Sequence, residues 1–513
     1  MSRSLSVLAP VAVCSALVLG LPALGGRDAP WQDKVDPWIL DRITEAGSAE
    51  LLVVLAEQAD LAGAAHLPSK EAKGRYVFER LRETAAKSQG PLLAELRNRG
   101  VEHRPYWVAN MIWMRADRAT IEALARREDV ARLHANPVVR MDLPAPEPEL
   151  PAAPTAPEWG VNMVAAPTLW AQGFTGLGIV VAGEDTGYDW DHPALIGKYR
   201  GWNGASADHN FNWWDAIHSG GGSCGANSIE PCDDNNHGTH TMGTMVGDDG
   251  GSNQIGVAPG AKWIGCRNMD QGNGTPTTYA ECFQFFIAPT DLMGMNPDPT
   301  KAPHVINNSW GCPPSEGCTG PNVLQMVVEN VRAAGILPVV SAGNSGSGCS
   351  SVDTPAAIYD ASFTVGSTTI SNTISSFSSR GPVTVDGSNR LKPDVSAPGS
   401  SVRSSIRNGA YSTFSGTSMA GPHVAGVSAV LMSASPGLAG NVDALEECIR
   451  QTAAPFTSAQ TCGGVPGSQI PNNTFGWGRV QLPWPLPPVC DLTALFSDGF
   501  ETGDTSVWTL VFP

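Results

Sequence analysis

Basic residues are scarce over most of this chain. Of 513 residues, 32 are Lys or Arg and 49 are Asp or Glu, for a formal net charge of -17. The deficit is confined: residues 27–142 hold 18 of each sign, whereas residues 143–513 hold 13 basic against 31 acidic ones. A surface that acidic repels nucleic acid and anionic lipid, so neither is an expected partner, and solubility outside the cell is the plain reading of the charge. Also missing from the 11 cysteines is any Cys-x-x-Cys spacing, the usual mark of a zinc site. With 16% charged and 42% hydrophobic residues, nothing marks the chain as fibrous or disordered, and its length suffices for one large core plus a smaller domain.

What the chain does have is a dense patch of small residues around one serine, Phe414-Ser415-Gly416-Thr417-Ser418-Met419-Ala420-Gly421-Pro422-His423. The Ala/Val-rich run that follows is apolar on every face, as in a helix sunk in a core. Ser418 is thereby placed at a helix N-terminus, where free backbone N–H groups suit an anion forming on whatever the hydroxyl attacks. A serine nucleophile needs a base and a carboxylate that orients it. His237 lies in Asn236-His237-Gly238-Thr239-His240, a polar entry into a second small-residue helix, and Asp185 follows the β-branched run Ile179-Val180-Val181, at a strand tip. His192, His240 and His423 lie near these motifs but read as hydrogen-bonded core residues.

In this order, Asp185, His237, Ser418, the sequence resembles the subtilisin-like serine proteases, most closely their bacillopeptidase F-like branch. The resemblance runs from about Trp159 to about Leu482. Asn308-Ser309-Trp310-Gly311 is similar to the family's substrate-binding strand, and Ser341-Ala342-Gly343-Asn344 to its oxyanion segment. It implies an α/β fold with a parallel sheet flanked by helices on both faces. It further implies a monomeric serine-type endopeptidase acting on proteins or peptides, with Asp185, His237 and Ser418 catalytic. Asn344 and the Ser418 N–H would form the oxyanion hole, and Ser309, Trp310 and Gly311 would bind substrate. Two readings compete: a serine esterase, although Ala420 replaces the second glycine of a Gly-x-Ser-x-Gly elbow, and a silent binding protein, although no motif residue is lost. No cofactor is required. The family's main calcium ligand is replaced by Ala194, while Asp233, Asp234, Asp248 and Asp249 leave a different calcium site open and unassigned. Glu184, beside Asp185, departs from the family's uncharged residue without an evident role.

The flanks complete the expected organisation. Residues 1–26 read as a signal peptide, with Arg3, the apolar run Leu5–Leu21 and small residues at Ala23-Leu24-Gly25, which implies secretion and no membrane contact after its removal. The ten cysteines beyond Cys14 are then expected as disulfides, and the close pairs Cys224/Cys232, Cys312/Cys318 and Cys448/Cys462 as loop staples. Residues 27–142 show strands at Leu51–Leu55, Tyr106–Met114 and Val138-Val139. Between them lie helical stretches at Lys73–Arg97, broken near Gly90-Pro91, and at Ala119–Arg127. This β-α-β-α-β order resembles the inhibitory propeptide of the same family, so the unit is expected to act as an intramolecular inhibitor. A Pro/Ala/Glu linker (143–157), the catalytic domain (158–482), and a Pro-rich spacer and tail (483–513) follow. Self-cleavage is expected between Arg140 and Pro157, at bonds whose second residue is not proline.

Overall fold

The computed structural model describes residues 30–141, 144, 146, 147 and 157–492. The expected signal peptide, most of the linker and residues 493–513 of the C-terminal tail lie outside the described residues.

The first unit is a four-stranded antiparallel sheet built from β1 (Ser48–Leu55), β2 (His103–Tyr106), β3 (Met111–Asp117) and β4 (Val130–Ala135), in the order β2-β3-β1-β4. Helices Pro37–Glu45, Lys70–Ser88, Gly90–Asn98 and Arg118–Ala125 accompany it. Val77, Leu81, Leu92 and Leu96, the expected inner positions, are all buried, and the break falls between Ser88 and Gly90, with Pro91 in the first turn of the second helix. Two strand expectations are corrected. Tyr106–Met114 is not one strand: it takes in the end of β2, a turn over residues 107–110 and the first half of β3, and Tyr106, Val108 and Ala109 pack in the cluster that also holds Phe283 and Val327 of the larger unit. Nor does Val138-Val139 close the sheet, a place taken by β4. Val138 is 67% exposed, and β5 (Val139–Arg140) leaves to pair elsewhere.

The larger unit is organised by β6 (Val180–Asp185), β7 (Trp213–Asp215) and β8 (Lys262–Arg267), then β9 (Met269–Asp270), β10 (Asn273–Gly274), β11 (Val305–Asn308), β12 (Leu337–Ser341), β13 (Phe363–Thr368) and β14 (Val395–Pro398). Seven of these form one parallel sheet, ordered β14-β13-β12-β11-β6-β8-β7. Its inner strands are buried on both faces, as a parallel sheet covered by helices requires. Successive residues serve opposite layers: Val181, Trp263, Val305 and Val339 join the core with Met242 and Val424, whereas Ala182, Ile264, Ile306 and Val340 join Phe283 and Val327. Helices His237–Val246 and Thr417–Ala434 therefore cover one face, and Pro276–Ile287 and Gln325–Ala333 the other. From β6 the chain runs to β8 on one side and then to β11 on the other, so the topology switches between β6 and β11, where such sheets open a crevice at their carboxyl ends. A hairpin, β15 (Val402–Ile406) and β16 (Ala410–Phe414), leads into the Thr417 helix.

The first unit docks on the second helical layer. Asn136 Oδ1 accepts from Thr277 N (2.9 Å) and Oγ1 (2.8 Å) at the start of the Pro276–Ile287 helix. Farther along, Glu281 accepts from Tyr106 Oη at 2.7 Å, and Gln284 Oε1 accepts from Trp107 N at 2.7 Å. Asn330 Nδ2 donates to Val108 O and Lys70 Nζ to Ala302 O.

Five disulfides join all ten cysteines beyond Cys14: 224–232, 266–282, 312–318, 349–462 and 448–490. The expected 448/462 pair is corrected. Cys448 faces inward from helix Val442–Thr452 and meets Cys490 in the core, with Cα atoms 4.9 Å apart; Cys462, on a two-residue strand, meets Cys349 at 5.3 Å.

Candidate active site

Three element ends converge on the crevice. Asp185 is the last residue of β6, His237 the first of its helix, and Ser418 the second of helix Thr417–Ala434. The small residues around each allow close approach: a Cβ on Gly238 would stand 2.0 Å from Gly187 O and 3.1 Å from Asp185 Cβ. His237 Nδ1 donates to Asp185 Oδ1 at 2.7 Å, and both residues are essentially fully buried. The same oxygen accepts from Thr186 N at 2.7 Å. This fixes the imidazole as the tautomer with its proton on Nδ1 and leaves Nε2 as the acceptor. Among the described residues Nε2 has no hydrogen-bond partner. The Ser418 hydroxyl points instead to Ser309 O, at 3.5 Å.

Asn344 is anchored by its own acceptor. Its Oδ1 takes Thr417 N and Thr417 Oγ1, both at 2.9 Å, so the amide is tied to the residue before Ser418. Gly343, at φ 97, allows the turn that presents it. Ser309 sits beside Ser418, its Oγ donating to Ser418 O at 3.2 Å and accepting from Asn307 Nδ2 at 2.9 Å. Trp310 stacks on Tyr279 with ring centroids 3.9 Å apart, and Gly311 follows at the rim. Asp185 and His237 thus form one hydrogen-bonded pair, Ser309 and Asn344 are bonded to the start of the helix that carries Ser418, and Trp310 is buried in the layer with Tyr279.

The three histidines near the motifs are spent on backbone carbonyls: His192 on Ala410 O, His240 on Val402 O and Ser412 O, and His423 on Met419 O. Burial lowers the pKa of His240 to about 3 and of His423 to about 4, keeping both neutral.

Asp233, read from the sequence only as a calcium candidate, has its carboxylate occupied. Oδ1 accepts from Thr186 Oγ1 (2.9 Å), Asn235 N (2.8 Å) and Asn236 N (3.0 Å), and Oδ2 from Thr239 N (3.0 Å) and Thr239 Oγ1 (2.6 Å). It ties the residue after Asp185 to the first turn bearing His237. Asn236, just before that turn, sits at φ 129, a strained conformation held by Arg407 Nε on its Oδ1 at 3.1 Å.

Glu184 points away from Asp185, on the face of β6 that meets Asn268 and Trp310. Both its oxygens are buried without a hydrogen-bond partner among the described residues. Burial raises its pKa well above the usual carboxyl range, with Asn268 and Trp310 opposing and the Asp185 charge adding to the rise.

A second edge of the crevice had no signal in the sequence. β5 pairs antiparallel with β10, Arg140 opposite Asn273 and Val139 opposite Gly274, and Met141 N donates to Gly272 O at 2.9 Å. Past this point, Glu147 N donates to Thr413 O at 2.9 Å, and Glu147 accepts from the hydroxyls of Ser401 and Ser415, the latter three residues before Ser418.

Over residues 176–478 the sequence matches the Subtilase family, peptidase S8. This chain belongs to the subtilase family. It is 37% identical over 430 residues to bacillopeptidase F of Bacillus subtilis (strain 168), which covers 80% of this chain and 28% of that protein. It is 33% identical to subtilisin E of the same organism over 54% of this chain and 61% of the relative. Against the subtilisin of Bacillus pumilus it is 32% identical over 54% of this chain and 85% of the relative. The chain thus spans under a third of bacillopeptidase F and about three-fifths of subtilisin E. The seven-stranded parallel sheet with helices on both faces fits the α/β fold expected of a subtilase.

Proposed function

We propose that this subtilase is a serine endopeptidase, exported and made as a precursor that its own active site processes. The observation that carries the reading is the buried Asp185–His237 hydrogen bond of 2.7 Å, which leaves His237 Nε2 without a partner among the described residues and able to take a proton. In the reaction, the Ser418 hydroxyl turns from Ser309 O to His237 Nε2, which takes its proton as Oγ attacks the peptide carbonyl carbon. Asp185 stabilises the resulting imidazolium. Asn344 Nδ2 and the Ser418 N–H receive the tetrahedral oxyanion, whose collapse releases the amine with the proton from His237. Water then repeats the cycle on the acyl-enzyme. Proteins and peptides are the substrate class, since an extended chain can pair with a β-edge through its main chain irrespective of sequence.

Residues 27–142 serve as an intramolecular inhibitor. Their last strand lies along β10 in the extended pose a substrate would take, and tethering gives it a high effective concentration. Export is supported by the Leu5–Leu21 run and by the disulfides; among the described residues no helix is long and apolar enough to cross a membrane. The test is labelling of the processed protein with a serine-directed phosphonate. One adduct on Ser418 with loss of peptidase activity is expected, together with protection by added N-terminal unit. Labelling elsewhere, or full activity in the labelled protein, contradicts the reading.

A further inference from the structure

Arg140 turns its backbone N–H away from β10 and donates it to Glu316 Oε2 at 3.0 Å. Its neighbour Met141 donates the opposite way, to Gly272 O, as alternation along a strand requires. The segment therefore lies between two walls. The second wall is the loop closed by the disulfide Cys312–Cys318, and Val139, 2% exposed, packs on those two cysteines. Glu316 is half-buried on this short ring, so its carboxylate is held in place by a cross-link. The same stretch carries the N-terminal unit: a Cβ on Gly317 would stand 2.4 Å from Trp38 Nε1, and one on Gly320 2.6 Å from Asp36 Oδ2. Arg140 itself is exposed. What the ring reads at this position is backbone, with an aliphatic side chain seated one residue upstream.

We propose that Glu316 is a substrate-positioning residue, whose carboxylate accepts the backbone N–H of a bound peptide at the place Arg140 occupies in the precursor. The inference rests on the endopeptidase reading and adds to it one carboxylate contact to the backbone of a bound peptide upstream of the cleaved bond. A hydrogen bond to a carboxylate is stronger than one to a neutral carbonyl, so the contact favours long substrates over short ones.

The test compares wild type, Glu316→Ala and Glu316→Gln on acylated peptides lengthened one residue at a time, and on copies N-methylated at each amide in turn. Extended-to-short ratios are taken within each enzyme, and mass analysis verifies that the 312–318 disulfide is closed in each. In wild type, methylation of one upstream amide is expected to lower kcat/KM about tenfold, through KM, the order of one exposed hydrogen bond to a charged group. In Glu316→Ala the same methylation should cost less than about twofold, with Glu316→Gln between, since it keeps an acceptor. An equal methylation cost in wild type and Glu316→Ala overturns the inference. If wild type cleaves none of the peptides, the endopeptidase reading fails; the same ratios measured as binding to Ser418→Ala protein then still decide the role of Glu316.

Discussion

Asp233 Oδ1 holds the hydroxyl of Thr186 at 2.9 Å, joining the residue after Asp185 to the loop that introduces His237. Its other oxygen holds Thr239, two residues after His237. The Asp185–His237 distance is thus set by a second carboxylate that is hydrogen-bonded to neither.

Asp233→Ala is expected to lower stability by about 3 kcal/mol, because it strands several buried donors at once. It should lower kcat at least about tenfold with KM little changed, because displacing a catalytic pair acts on the chemical step. Asp233→Asn, which keeps one acceptor oxygen, should fall between. Chemical denaturation and peptide turnover on the same preparations check this, and a stable, fully active Asp233→Ala protein would contradict it.

Glu184 carries a pH prediction. Its folded pKa is raised by burial, so below the usual carboxyl value of 4.5 both folded and unfolded forms are protonated and the residue is neutral to stability. As pH climbs past that value the unfolded chain ionises while the folded one stays protonated, and stability drains away until the folded group also titrates. Glu184→Gln removes this loss. The difference in thermal midpoint between Glu184→Gln and wild type should widen in favour of the variant from about pH 4.5 upward; a difference that is flat, or shrinks, would mean that Glu184 is ionised in the fold.

The cross-links give a third prediction. Digestion without reduction should yield peptides joined at 349–462 and 448–490, and none joined at 448–462. The two bonds close sequence separations of 113 and 42 residues. In the chain-entropy account, they remove about 5 and about 4 kcal/mol of unfolded-state freedom, respectively. Cys349→Ser and Cys490→Ser should each lower the thermal midpoint measurably, and recovery of the 448–462 peptide would refute the pairing.

Maturation provides a fourth. Val139–Met141 are held along β10 and Gly272, and Glu147 is next held at Thr413, so the first cut should fall between these anchors. Bonds that place Pro144 or Pro146 second lack the N–H of a strand-like substrate. N-terminal sequencing of the first processed form should therefore begin at Asp142, Leu143, Ala145 or Glu147. A first cut before Arg140 or beyond Pro157 would contradict the assignment of the linker.

The elements bearing Asp185, His237 and Ser418 were legible because each carries its signal locally. A β-branched run ends in a carboxylate, and two small-residue helices open on a polar group. Asp233 was not legible, since an acidic loop ordinarily reads as solvated and its partners are distant in sequence. The Asn273–Gly274 edge was hidden because a two-residue strand has no periodicity, and its pairing with β5 spans 133 residues, Arg140 to Asn273. Tyr106–Met114 misled for a related reason. An apolar run records burial, and here two buried strand ends, Tyr106 and Met111–Met114, flank a turn whose Val108 and Ala109 pack against the larger unit; Asn110, at φ 44, marks that turn. Close spacing suggested the right partner for Cys224 and Cys312 but not for Cys448, whose place on the inner face of a helix decided its partner.

The central claim is that Ser418 is the nucleophile of a self-processing endopeptidase. The most direct measurement is casein turnover and precursor processing by Ser418→Ala, purified from a host without other proteases, alongside its circular dichroism. The substitution removes one hydroxyl in small-residue surroundings, so the account predicts a native spectrum, no turnover above background, and an uncut precursor. A well-folded Ser418→Ala protein that still hydrolyses casein, or matures at the wild-type rate, would show that the nucleophile lies elsewhere.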